Sequence, residues 1–237
     1  MVKKEFIQSF KTSISKKEKL LAILIDPDVF DNSEAKYFLN TLPNNTTHLF
    51  VGGSTVENDK TEATVIELKK YSSLPVFLFP GDESQITKKA DGILFLSLIS
   101  GRNSEYLIGQ QVRSISKLRN SNLEIIAMGY LLIEGGNQSA VERVSETTPM
   151  PQDDVQAIVD TALAGEYLGK KLIYLEAGSG AKFPINTNVI SAVKKAIRIP
   201  LLVGGGIKNE KQKKEAYDAG ADMVVMGTFF ENNNKTS

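Results

Sequence analysis

The chain has 237 residues, 41% of them hydrophobic, which suits one large domain or two small ones around a substantial core. Lysine plus arginine and aspartate plus glutamate each number 28, so the formal net charge is zero, which argues against a nucleic-acid protein carrying a surplus of basic charge. Cysteine is absent, which excludes disulfides, thiolate metal sites and cysteine nucleophiles.

The opening stretch, MVKKEFIQSFKTSISKKEKL, is polar and lysine-rich and lacks the apolar segment of a secretion signal. The longest apolar runs, LLAILI and GILFLSLIS, are far short of a membrane span, so the expectation is a soluble, cytoplasmic protein. Strand-length apolar runs then recur at 21–26, 48–53, 75–80, 92–97, 124–136, 171–180, 200–206 and 222–228. Their hydrophobicity is continuous rather than alternating, as in a parallel sheet buried on both faces. Helical patterns fall between them at 33–42, 60–72, 106–120, 151–169, 186–197 and 209–221. Eight strands alternating with helices, without a linker or a shift in composition, predict a single (β/α)8-barrel domain over 1–237; an open doubly wound sheet is the alternative. Two connections are irregular. The link GDESQITKKADG between the third and fourth strands has room for a very short helix at best, and NQSAVERVSETTPMPQDD after the fifth strand is long and polar.

In such a barrel the functional groups sit at the C-terminal ends of the strands. Those ends carry Asp26, Gly53-Ser54, Pro80-Gly81, Ser97, Glu134, Tyr174-Leu175-Glu176, Gly204-Gly205-Gly206 and Gly227-Thr228. VGGGI after the seventh strand and MGT after the eighth match the paired glycine turns that cradle a phosphate with backbone amides, and AGSG at 177–180 adds amides and a hydroxyl. Glycines that merely make tight turns are the competing explanation. Asp26 suits a hard cation, a base or a helix cap. With Ser54 it forms a poor cage for Ca²⁺ but a fitting partial site for Mg²⁺, which keeps waters and accepts substrate phosphates. His48, the sole histidine, reads as a structural residue. Lys170 and Lys171 precede their strand and Lys182 lies in a loop, so a Schiff-base lysine has no support.

The run from LIDPD through VGGST, GYLLIEGG and YLEAGSGA to VGGGI and MGT resembles the geranylgeranylglyceryl phosphate synthases and the related bacterial heptaprenylglyceryl phosphate synthases, over nearly the whole chain. The resemblance implies a modified (β/α)8 barrel whose third helix is missing or replaced. It implies a Mg²⁺-dependent prenyltransferase that alkylates the C3 hydroxyl of sn-glycerol 1-phosphate with a polyprenyl diphosphate and releases pyrophosphate. By motif, Asp26 and Ser54 would hold Mg²⁺. Tyr174, Leu175, Glu176, Ala177, Gly178, Ser179 and Gly180 would grip glycerol phosphate, and Gly205, Gly206, Gly227 and Thr228 its phosphate. Within that scheme Glu176 beside Tyr174 is the candidate general base. Phe77, Phe79, Phe95, Leu98, Ile99 and Tyr106 form a candidate wall for the prenyl tail, with Tyr106 as a bulky stop. Leu24 stands where some members carry a lysine; together with LEAGSGA and the longer loop after the fifth strand, this resembles the archaeal-type second group and implies geranylgeranyl rather than heptaprenyl transfer. Self-association is expected from the family, with no transmembrane segment and at most peripheral membrane contact. A phosphosugar isomerase or epimerase, or a non-catalytic phosphate-binding barrel, would use the same turns.

Overall fold

The apolar runs become eight parallel strands in a computed structural model that describes residues 6–57 and 59–227. They are β1 (Leu20–Ile25), β2 (His48–Val51), β3 (Val76–Leu78), β4 (Gly92–Leu98), β5 (Glu124–Leu132), β6 (Leu172–Glu176), β7 (Leu201–Gly204) and β8 (Met223–Met226). Each strand pairs with the next and β8 returns to β1, closing a barrel. The open-sheet alternative is thereby excluded. Side chains alternate between two apolar layers. Leu20, Ala22, Leu172 and Tyr174 point into the barrel, while Leu21, Ile23, Ile173 and Leu175 pack outward against the helices.

The helices are α1 (Phe6–Ser15), α2 (Ala35–Thr41), α3 (Lys60–Tyr71), α4 (Gln110–Leu118), α5 (Ala140–Ser145), α6 (Val155–Tyr167), α7 (Thr187–Ala196) and α8 (Glu210–Ala219). The link between β3 and β4 holds only a 3-10 turn at Glu83–Gln85, as its length predicts. Gln85 is buried there, and its amide exchanges hydrogen bonds with the backbone of Gly53 (Nε2 to O 2.8 Å, N–H to Oε1 3.2 Å). The helixless link is thus tied to the end of β2. A π-turn at Glu105–Gly109 precedes α4, and turns of this kind recur at functional sites. Among the described residues, no helix is long and apolar enough to cross a membrane.

Two helices lie outside the predicted set. α5 condenses part of the polar insert after β5, and a reciprocal capping box between Ser139 and Glu142 starts it. α1 puts Phe10 into the apolar layer inside the barrel, at the end opposite the strand C-termini. Phe10 stacks on His48 at 4.5 Å, Phe6 meets Phe77 edge-on at 5.2 Å, and the Glu124 carboxylate accepts the N–H groups of Phe6 and Ile7 that open the helix.

His48 is therefore structural. Burial pushes its imidazole down from 6.5 to about 4, and Nδ1 lies 2.8 Å from Thr47 Oγ1. The sign follows directly: between those values the unfolded chain binds a proton that the folded one refuses. The His48 contribution is complete above pH 6.5 and declines until pH 4, by about 3 kcal/mol in all. In His48→Gln the acid-side fall in unfolding free energy should be shallower by that amount. Parallel stability–pH curves for the two proteins would exclude this role.

Candidate active site

At the strand C-termini the barrel opens into a cavity of about 690 Å³, within the size range of small-molecule sites. Its floor is set by strand register. Tyr174 and Glu176 lie two residues apart on β6 and so share a face; Tyr174 sits opposite Tyr130 and Leu202, and Glu176 opposite Leu132 and Gly204. Tyr174 is 1% exposed and Glu176 6%. The Tyr174 hydroxyl donates to Glu176 Oε2, and the Gly178 N–H donates to Oε1 at 2.7 Å. Burial raises the Glu176 carboxyl above the ordinary carboxylate value, while these two hydrogen bonds pull it down. Burial likewise holds Tyr174 and Tyr130 well above the phenol value, with the Glu176 charge adding to the rise, so both phenols are donors. A carboxylate has about four acceptor positions, and these two donors leave room for substrate hydroxyls.

The glycines of β7 follow from this pair. A Cβ on Gly204 would collide with the Tyr174 hydroxyl. Gly205 has φ +77°, and a Cβ there would come 2.5 Å from Glu176 Oε1. Ser179, Gly180, Gly205, Gly206 and Gly227 line one end of the cavity together, which makes the paired turns a single concave surface. Thr228 lies outside the described residues.

Asp26 and Ser54 line the same cavity from β1 and β2. Asp26 is half-buried; burial raises its carboxyl, and the Asp28 N–H, 2.9 Å from Oδ1, partly offsets the rise. The two loops are laced together: Lys60 bridges Asp28 at 3.1 Å and Glu57 at 2.9 Å, and Asp28 accepts the Glu57 N–H at 3.2 Å. Among the described residues, no three acidic or histidine side chains gather into a metal cage. One desolvated carboxylate and one hydroxyl are an incomplete donor set of hard oxygens. Such a set fits a cation that keeps waters and is completed by a phosphorylated ligand.

The remaining wall is apolar. Phe79, Phe95, Leu98 and Tyr106 line it with Ile86 and Ile93, beside the link that lacks a helix. Phe79 meets Tyr174 edge-on at 5.4 Å, so the apolar wall reaches the carboxylate pair. Two expectations need correction, those for Phe77 and Ile99. Phe77 is fully buried among Phe6, Phe10 and His48 under the barrel, because its side chain points inward one layer below Phe79. Ile99 packs against the outer layer rather than the cavity. The odd position of Leu175 on β6 turns its side chain to the helices, and Ala177 joins the same layer with its N–H on Gly204 O at 3.1 Å. Neither side chain reaches a ligand in the cavity. Gly178 acts through its N–H on Glu176.

Sequence reasoning missed several lining residues: Tyr130, Gln110, Gln111, Val141, Val144 and Lys208. Tyr130 was detectable as a polar-tipped residue inside the apolar run of the fifth strand. Val141 and Val144 belong to α5, whose S-x-x-E start is visible in the sequence. Lys208 follows the GGG turn by two residues.

A model of the PcrB family matches residues 13–237. The geranylgeranylglyceryl phosphate synthase of Zunongwangia profunda is 59% identical over 91% of this chain and 92% of its own length. The synthase of the same name from Flavobacterium johnsoniae is 53% identical, over 91% and 89%. Among solved structures, (S)-3-O-geranylgeranylglyceryl phosphate synthase from Thermoplasma acidophilum, in complex with its substrate sn-glycerol 1-phosphate, superposes with a TM-score of 0.87 at 33% identity, covering 95% of this chain and 91% of that one.

Proposed function

The chain belongs to the PcrB family, and on that premise we propose that it is a geranylgeranylglyceryl phosphate synthase, a one-domain barrel that joins sn-glycerol 1-phosphate to geranylgeranyl diphosphate through an ether bond. The carrying observation is the placement of Tyr174 and Glu176 where a glycine-lined concavity meets an apolar wall. One substrate offers a phosphate and a polyol, the other a charged head and a hydrocarbon tail, and the cavity has a surface for each. An isomerase of phosphosugars needs no such apolar wall.

In this reading the phosphate of glycerol phosphate lies against the amides of Ser179, Gly180, Gly205, Gly206 and the Gly227 turn. The glycerol hydroxyls face Glu176, held still by Tyr174 and Gly178. The C3 hydroxyl oxygen forms a bond to C1 of the prenyl chain as the C1–O bond to diphosphate breaks, its electron pair leaving with the diphosphate. The hydroxyl proton passes to Glu176. Asp26 and Ser54 would hold Mg²⁺, which when bound supplies positive charge against the departing diphosphate. The chain otherwise contributes position: it keeps one oxygen near one carbon.

The tail extends along Phe79, Phe95, Leu98 and Tyr106. Tyr106 is partly buried at this wall, enough to raise its phenol. Tyr106→Ala should move the ratio of specificity constants toward a prenyl diphosphate one isoprene unit longer, by roughly tenfold. An unchanged ratio would remove Tyr106 as the stop. The proposal also takes the protein to be cytoplasmic, to assemble with copies of itself, and to meet membrane lipid only peripherally, through its lipid substrate and product.

The test is incubation of purified protein with Mg²⁺, geranylgeranyl diphosphate and each glycerol phosphate enantiomer. Ether lipid from the sn-1 enantiomer, abolished by EDTA, is the expected result. Tight glycerol phosphate binding without product at any prenyl length would leave only a binding barrel.

A further inference from the structure

We propose that Lys208 is a substrate-binding residue, the fixed positive charge that the glycine cradle itself lacks, and that it pairs with the phosphate of glycerol phosphate. The inference rests on the reading above and adds a residue to it.

The first observation is the charge inventory of the cavity. Asp26, Asp82, Glu83 and Glu176 line it, and among the described residues Lys208 is its one basic lining residue. A phosphomonoester carries close to two negative charges near neutral pH, and backbone amides offer only partial charges in return. A cation held by Asp26 and Ser54 would serve the diphosphate. Glu83 pairs with Arg113 at 3.5 Å, outside the lining, so within the cavity a bound dianion would find Lys208 as its positive side chain.

The second observation is position. Lys208 lies on the loop from β7 to α8, directly after Gly205-Gly206-Ile207, and it lines the cavity together with those residues, Ser179 and Gly180. Its backbone is pinned: the Lys208 N–H donates to Gln212 Oε1 at 2.8 Å, and the Gln212 N–H donates to the capping Asn209 Oδ1 at 2.9 Å.

The third observation separates Lys208 from the other lysines of this segment. Lys211, Lys213 and Lys214 each face an acid on their own helix, Glu215 at 4.0 Å, Glu210 at 2.7 Å and Asp218 at 2.5 Å. For the exposed Lys211 and Lys214 that is how a solvated helix face ordinarily uses its lysines, and the buried Lys213 is paired as well. Lys208 makes no ion pair among the described residues, so its ammonium group is available to a ligand. Its exposure makes the interaction sensitive to salt.

The test compares wild type, Lys208→Ala and Lys208→Arg. Titration calorimetry with sn-glycerol 1-phosphate alone, at low and at physiological salt, reads binding without turnover; steady-state kinetics read each substrate separately. Lys208→Ala should weaken glycerol phosphate binding about tenfold at low salt, with a smaller loss at higher salt. Its KM for glycerol phosphate should rise in parallel, while kcat and the KM for the prenyl diphosphate change less than twofold. Lys208→Arg should recover most of the binding, because the charge is what matters. Equal affinity of wild type and Lys208→Ala overturns the assignment and leaves the proposed reaction standing. A rise confined to the KM for prenyl diphosphate overturns it too, by moving the lysine to the other substrate. Failure of the wild type both to bind glycerol phosphate and to turn over would remove the reaction and this role together.

Discussion

Glu176→Gln is expected to lower turnover by a factor of about 10² to 10⁴, the usual contribution of a positioned general base, while the barrel still folds. The two effects are separable because Glu176 has both a chemical and a structural environment. Its carboxylate accepts from the Tyr174 hydroxyl and from the Gly178 N–H. Glutamine keeps one oxygen for one of these donors and sets an NH₂ group against the other, which costs about 1–2 kcal/mol. That is a visible drop in melting temperature, yet small beside a core to which every strand contributes buried side chains. The proton acceptor, in contrast, is lost outright. Circular dichroism with thermal melting reads the first effect, and single-turnover kinetics read the second. Turnover within tenfold of wild type would mean that the proton leaves by another route.

The pH profile gives the same hypothesis a sign. A base works when deprotonated, and burial raises the Glu176 carboxyl above its ordinary value of 4.5. The acid limb of kcat/KM should therefore fall at a pH above that of an exposed glutamate. Tyr174→Phe removes a hydrogen bond that lowers the Glu176 value. In that variant the acid limb should move further up, and an acid limb that stays in place would detach it from this carboxylate.

The barrel was legible because its signal is local. Each strand is a short apolar run between polar breaks, and the register that closes β8 onto β1 merely orders those runs. The missing third helix was legible for the same reason, since a dozen residues cannot hold a strand-to-strand helix. Side-chain direction was harder. Phe77 and Phe79 share the inward face of their strand and its extension, and differ only in height: one lies under the barrel with α1, the other at the cavity. That distinction needs α1, whose helical character the lysine-rich opening stretch concealed. Leu175 sits inside the most specific motif of the chain, between two cavity-lining residues, yet β parity alone sends it outward. A motif names a segment; alternation decides which of its side chains meet the ligand. Lys208 was missed for a different reason. Its role comes from what the surrounding cavity lacks, a positive charge, and only the assembled lining shows that imbalance.

Asp26→Asn carries the other large expected effect. The half-buried Asp26 carboxyl is raised by burial and, to a lesser extent, by the neighbouring Asp28 charge, so as an anion it is unfavourable to the fold on its own. The substitution should leave the melting temperature unchanged or slightly higher. Turnover at a fixed, moderate Mg²⁺ concentration should fall on the order of a hundredfold, with partial recovery as Mg²⁺ is raised, because Ser54 and the substrate would still offer oxygens. A readout independent of turnover is Mn²⁺ binding by electron paramagnetic resonance in the presence of pyrophosphate, which should weaken in parallel. The competing role is a local cap, since Asp26 Oδ1 accepts the Asp28 N–H at 2.9 Å. Asparagine retains an oxygen for that bond, whereas alanine does not. If capping were the whole role, Asp26→Asn would behave as wild type and only Asp26→Ala would lose stability. Loss of cation dependence in Asp26→Asn, with the fold intact, assigns the carboxylate to the metal; equal Mg²⁺ dependence and Mn²⁺ affinity in Asp26→Asn and wild type would return it to the turn.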